Sequence, residues 1–181
     1  MSHRTPDLEH GEPWTANDGL AVVIRSIRPE DEPLMARFHQ TLSPESVYTR
    51  YFNVMKLSSR TAHERLCRVC HPNPDCEAVL VAESARPDNG GREIIAVGRL
   101  SILPDANAAE IALIVSDSHQ GCGVGTEVTR RLIEVAKQRH LTRLFAHILT
   151  GNVAMQHLCV AAGMRLSNPP GGGEVRADLD L

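Results

Sequence analysis

Three glycines at alternate positions, Gly121, Gly123 and Gly125, stand between an aliphatic run, Ala108-Ala-Glu-Ile-Ala-Leu-Ile-Val115, and a stretch in which Val128, Leu132, Val135 and Ala136 recur at helical spacing. Such a chain passes from strand to helix through one tight turn, because glycine takes positive φ without steric cost and the helical period starts directly after it. The first amides of a helix have no acceptor within it, so a Gly-rich opening offers unpaired N–H groups to an anion that can approach closely. A pyrophosphate is the natural guest.

Gly-rich turns occur in several nucleotide-binding folds, and the surroundings separate them. A Walker loop ends Gly-Lys-Ser/Thr, whereas this turn ends Gly125-Thr126-Glu127. A dinucleotide fingerprint opens a parallel sheet. Here the turn follows three strand candidates, Glu77–Glu83, Glu93–Leu103 and Ala109–Val115, with turn-rich breaks at residues 86–91 and 104–107. Consecutive strands with short breaks predict an antiparallel meander.

The remaining elements follow from periodicity and caps. Residues 21–27 read as a strand, and Arg28-Pro29-Glu30-Asp31 as the start of a helix to about Thr41. Ser43-Pro44 starts a short helix and loop carrying Tyr48, Tyr51 and Phe52, and Ser58 or Ser59 caps a further helix through Cys70, stopped by Pro72 and Pro74. A helix runs from Gly125 to about Arg139, then a strand over 144–149, a helix over 153–162 ended by Gly163, a surface turn over 168–173 and a last strand over 174–181. The order βααβββαβαβ predicts an α+β fold: a mixed, mostly antiparallel sheet with one β-α-β crossover and helices on both faces. Residues 1–19 show no periodicity and are expected as a flexible tail, with one domain over 20–181.

A formal charge of −3 gives no basic surface for nucleic acid. The apolar runs are too short to span a bilayer and the N-terminus lacks the pattern of a signal peptide, so a cytoplasmic protein without membrane association is expected. Cys67, Cys70, His71 and Cys76 have to be weighed as zinc ligands. Cys67 and Cys70 fall inside a helical pattern where thiols fill core, and no second pair completes a tetrahedral set, so no metal is expected.

Gln120-x-x-Gly123-x-Gly125 matches the Q/R-x-x-G-x-G/A signature of the GCN5-related N-acetyltransferases, and Asn152, Ala154, Leu158 and Gly163-Met164 are similar to that family's downstream segment at the same spacing. The resemblance covers about residues 20–165. Ile27-Arg-Pro-Glu-Asp-Glu-Pro-Leu-Met, Ser46-Val-Tyr-Thr-Arg-Tyr-Phe, Met55-Lys-Leu-Ser-Ser-Arg and Ala62-His-Glu-Arg-Leu look like the acetyltransferase domain of bacterial Pat-type protein lysine acetyltransferases, which modify acyl-CoA synthetases. The resemblance implies the GNAT fold and acetyl-CoA as co-substrate. The acceptor it implies is a protein lysine, such as one on an acyl-CoA synthetase; a small amine and a non-catalytic acyl-CoA-binding module remain as alternatives.

A lysine amine, with an unperturbed pKa of about 10.4, is mostly protonated near neutrality, so direct attack in a ternary complex needs a base. Glu110 is the lone carboxylate on the strand feeding the turn, and the resemblance places the general base there. The same resemblance assigns the pantetheine arm to the backbone of Leu113, Ile114 and Val115 and to Asn152, and the pyrophosphate to Gln120, Gly121, Cys122, Gly123, Val124, Gly125 and Thr126. Asn152 can equally cap the helix beginning at Val153. Many family members carry a Tyr, seven residues after the Asn, that protonates the leaving thiolate; here that position is Cys159, either a general acid or a buried structural thiol.

Overall fold

The computed structural model describes residues 10–85, 90–169 and 171–181. The strands are β1 (Glu12–Thr15), β2 (Ala21–Ser26), β3 (Glu77–Ala85), β4 (Arg92–Leu103), β5 (Ala108–Val115), β6 (Arg143–Leu149), β7 (Arg165–Ser167) and β8 (Glu174–Asp180). The helices are α1 (Glu32–Gln40), α2 (Pro44–Tyr51), α3 (Leu57–Arg60), α4 (His63–Cys70), α5 (Val124–Gln138) and α6 (Val153–Ala161). The strands form one sheet in the order β1-β2-β3-β4-β5-β6-β8-β7. Every neighbouring pair is antiparallel except β5 and β6, which the α5 crossover makes parallel. This is the expected mixed, mostly antiparallel α+β architecture.

Alternation along the strands feeds two cores. Leu80 and Ala82 of β3 join Ile95, Leu100, Ile111, Leu144 and Ile148 beneath Val128 and Leu132 of α5. Val79 and Val81 point the other way, to Leu34 and Phe38 of α1, Val47 of α2 and Leu66 of α4. Helices therefore cover both faces. Gly98 lets α5 sit close on β4: a Cβ there would lie 2.5 Å from Val128 Cγ1 and 2.7 Å from Leu132 Cδ1. The Ser43 hydroxyl caps α2 by accepting from the Ser46 amide at 3.1 Å, as its position before Pro44 predicts.

A buried ion network ties the first helix to the sheet. Arg25 and Asp31, each 2% exposed, form a bidentate pair at 2.7 and 2.8 Å, and Arg25 also reaches Glu83 at 2.5 Å. The Arg28 amide donates to Asp31 at 2.8 Å.

Three expectations change. Of the tail expected over residues 1–19, residues 1–9 lie outside the described residues, but β1 pairs in register with β2 from Glu12–Ile24 to Thr15–Ala21, Ala16 is buried, and Glu12 bridges to Arg131 at 2.8 Å. The segment is thus part of the sheet. β7, three exposed residues held by β8, was not expected. The helix starting at Ser58 or Ser59 divides into α3 and α4, neither with a side-chain cap. The turns expected over 86–91 and 168–173 fall partly outside the described residues, at 86–89 and at 170.

Candidate active site

β5 and β6 pair over only three residues, Ala108–Glu110 against Arg143–Phe145. Beyond Glu110, β5 stays bonded to β4 and β6 to β8, so the two strands part and leave the Ile111–Val115 edge facing a gap. A cleft of about 750 Å³ opens there. Leu113, Ile114 and Val115 line one side, Asn152, Met155 and Leu158 of the α6 region the other, the Gly-rich turn one end, and Ser43, Ser46, Thr49 and Arg50 of the α2 region the roof.

The turn has the predicted form. Gly121 and Gly123 take φ of 77° and 86°, and Gly123 caps α5. Among the described residues, none of the amides of residues 121–126 donates a hydrogen bond; the first α5 amide that does is Glu127, to the Gly123 carbonyl at 3.1 Å. Six N–H groups are therefore concentrated at the positive end of a fifteen-residue helix. Gln120 anchors the turn by donating to the Val115 carbonyl and to Ser46 Oγ, each at 3.2 Å. Asn17, which also lines the cleft, braces the turn, its amide donating to the Cys122 carbonyl at 3.0 Å and its side chain lying 3.0 Å from where a Gly123 Cβ would stand. Gly125 keeps the cleft open: a Cβ there would come within 3.1 Å of both Leu113 Cδ2 and Leu158 Cδ1.

Burial works to raise the Asp117 carboxyl, but hydrogen bonds from Ser43 and Ser46 outweigh it and hold the group below its ordinary range. The Cys122 thiol is pushed up by its hydrogen bond to Asp18, which makes it a poor nucleophile. Glu110 is half-buried on the β5 face that also carries Ile114, opposite Ser101 and Phe145, and its charge acts on Arg50 above it. Among the described residues no group of three or more His, Cys, Asp or Glu side chains is arranged to hold a metal ion, and no helix is long and apolar enough to cross a membrane.

The model of the acetyltransferase (GNAT) domain family matches residues 21–165. This chain belongs to that family. A Pseudomonas aeruginosa acetyltransferase is 26% identical to the GNAT chain over 155 residues, 84% of the chain and 81% of the relative. The crystal structure of the GNAT domain of S. lividans PAT superimposes with a TM-score of 0.82 at 27% identity, covering 94% of this chain and 97% of that one. Mycobacterium smegmatis RimJ, solved in complex with CoA-disulfide, shares the fold at a TM-score of 0.71 and 16% identity, over 94% and 86% of the two chains. The protein is an acetyltransferase, and its cleft has the features a coenzyme A ligand requires: free amides for an anion, an open strand edge for an amide-bearing arm, and a glycine where a methyl would intrude.

Leu113, Ile114, Val115, Gln120, Gly121, Gly123, Gly125, Thr126 and Asn152 come together around the GNAT cleft. Val124 is 1% exposed, so it can face a ligand only through its amide, and Cys122 is half-buried against the core beside the turn. Asn152 caps α6, its Oδ1 accepting from the Met155 amide at 3.1 Å, which leaves Nδ2 for the cleft. Glu110 lies past the cleft's end rather than in its wall. Cys159 is 0% exposed in the core and does not line the cleft, its thiol pushed up to about 11 by burial, a placement that favours the structural alternative of the two expected for it. Sequence reasoning missed Asn17, which it assigned to the tail, and the serines of the α2 start.

Proposed function

We propose that this GNAT chain transfers an acetyl group from acetyl-CoA to a protein lysine by direct attack in a ternary complex. The observation that carries the reading is the row of free amides at residues 121–126 beside the parted β5 edge, on the strand that also bears Glu110. When bound, acetyl-CoA supplies an activated thioester. The amides of residues 121–126 hold its diphosphate, the β5 edge from Leu113 to Val115 and the Asn152 amide hold the pantetheine arm, and Glu110 takes the proton of the attacking amine, directly or through water. With Cys159 in the core, this mechanism assigns no side chain as acid to the leaving thiolate.

A protein acceptor is supported by the resemblance of the first half of the chain to Pat-type enzymes and by the likeness to S. lividans PAT. It is also supported by the cleft itself, whose rim includes exposed Glu45, Asp117, Gly121, Gly151 and Val153 rather than an enclosed acidic wall. Five cysteines that remain free thiols support a reducing, cytoplasmic setting. The test is Glu110→Gln, measured for acetyl-CoA binding by calorimetry and for thiol release with acyl-CoA synthetases and small amines side by side. Retained binding with turnover lost supports the base assignment, unchanged turnover excludes it, and no heat of binding in the folded wild-type protein overturns the reading.

A further inference from the structure

Arg50, which lines the cleft, and Arg65, which shares the Tyr51 ring with it, have no carboxylate of their own among the described residues. Both guanidinium groups lie over the Tyr51 ring, at 5.0 and 5.1 Å from its centroid, although Arg50 is on α2 and Arg65 on α4. Among the described residues neither makes a hydrogen bond or an ion pair, and Arg65 Nε is buried with no partner. Nearby Arg99 is matched by its ion pair with Glu77. The titratable groups acting on Arg50 are, in order, Tyr51, Arg99, Glu110 and Arg65, and among the described residues no ion pair joins Arg50 to Glu110. Burial pulls Arg50 below its ordinary value, with Arg99 and Arg65 adding to the fall, as expected of a cation short of counter-charge.

A buried guanidinium group without an ion-pair partner is costly unless something with the opposite charge joins it. The aromatic ring offsets part of the cost. A planar fork of N–H donors is best satisfied by a carboxylate, which it binds bidentately. Arg50 itself lines the cleft, so a group held there would sit on the substrate side of the site.

We propose that Arg50 and Arg65 bind a carboxylate of the substrate, so that the enzyme prefers reaction partners carrying an acidic group close to the reacting atoms. The inference rests on the acetyltransferase reading and names its substrate class. The carboxylate has two possible sources, the acceptor next to its amine or the acyl group itself, and one experiment separates them. Peptides blocked at both termini and differing only in an Asp or Asn beside the acceptor lysine are combined with acetyl-CoA or succinyl-CoA, and kcat/KM is read by thiol release.

A preference of about tenfold or more for the Asp peptide with acetyl-CoA, or for succinyl-CoA with the Asn peptide, is expected over the neutral pair. The arm that rises identifies the source. Arg50→Gln and Arg65→Gln should each bring the ratio to within about twofold of unity, with Arg50→Lys between them and wild type, since lysine keeps the charge but not the fork. Acetyl-CoA binding by each variant checks that it has folded, and having two separate variants protects against the loss of one. No preference in wild type, or a preference surviving both glutamine variants, overturns the proposal. Absence of thiol release in every combination overturns the acetyltransferase reading instead, a result distinct from a failed preference, which leaves turnover of the neutral pair in place.

Discussion

Replacing Asp31 by Asn tests whether the buried ion network holds α1 to the sheet. Asp31 accepts from both Arg25 guanidinium nitrogens, at 2.7 and 2.8 Å, and from the Arg28 amide at 2.8 Å. Asparagine keeps the shape but turns one accepting oxygen into a donor, so at least one of these three donors meets another donor. Removing one member of a buried pair costs about 3–5 kcal/mol. Arg25 retains Glu83 at 2.5 Å, which lowers the expected loss to about 2–4 kcal/mol. With a urea m-value of about 2 kcal/mol/M, the unfolding midpoint at pH 7 should fall by about 1–2 M.

The pH dependence gives a second check. Burial alone would raise the Asp31 carboxyl, but the bonds from Arg25 and Arg28 hold it below its ordinary value. A carboxylate depressed in the folded state contributes stability that is fully present above its unfolded pKa of about 3.9 and is lost as pH falls through the folded value. The deficit of the variant should therefore be constant from pH 8 to pH 5 and shrink below about pH 4. A deficit under about 1 kcal/mol at pH 7, or one that does not shrink down to the lowest pH at which both proteins fold, would refute the reasoning.

Glu110→Gln should lower kcat/KM by about 10²–10⁴-fold, with acetyl-CoA affinity retained in calorimetry. Gly98→Val should destabilise by about 1–3 kcal/mol in denaturant titration, because its Cβ would stand 2.5 Å from Val128 Cγ1. Cys159→Ala should keep turnover close to wild type while costing about 1–2 kcal/mol of stability, since the thiol fills core rather than serving the cleft. Removing residues 1–19 should lower the melting temperature by several degrees, through loss of β1 and of the Glu12–Arg131 bridge; a dispensable tail would leave it unchanged.

The elements legible in the sequence are those whose signal is local. The strand, Gly turn and helix over 108–138 are marked by alternation, three glycines and a helical period within thirty-one residues, and they appear within a residue or two of the expected limits. β1 carries no such mark: four residues, one of them Pro13, hold their place through pairing with β2 and through Glu12 on Arg131, contacts to partners up to 119 residues away. β7 is likewise three exposed residues with no pattern to read. Cys159 stands at the family's Tyr position by spacing, but which way α6 turns that residue depends on packing against the sheet. Arg50 and Arg65 are fifteen positions apart, and only the packing of α2 and α4 brings them to the same ring.

The three registered residue pairs between β5 and β6 form a short seam in the middle of an eight-stranded sheet. Across that line the sheet's own rungs are few, and the two parts are joined by shared core packing, with Leu144 and Ile148 of β6 and Val175 and Ala177 of β8 in one cluster with Val128 and Leu132 of α5. A guest that bonds to the open edges of the gap adds the missing rungs. Tightness of binding and stiffness of the whole molecule then rise together.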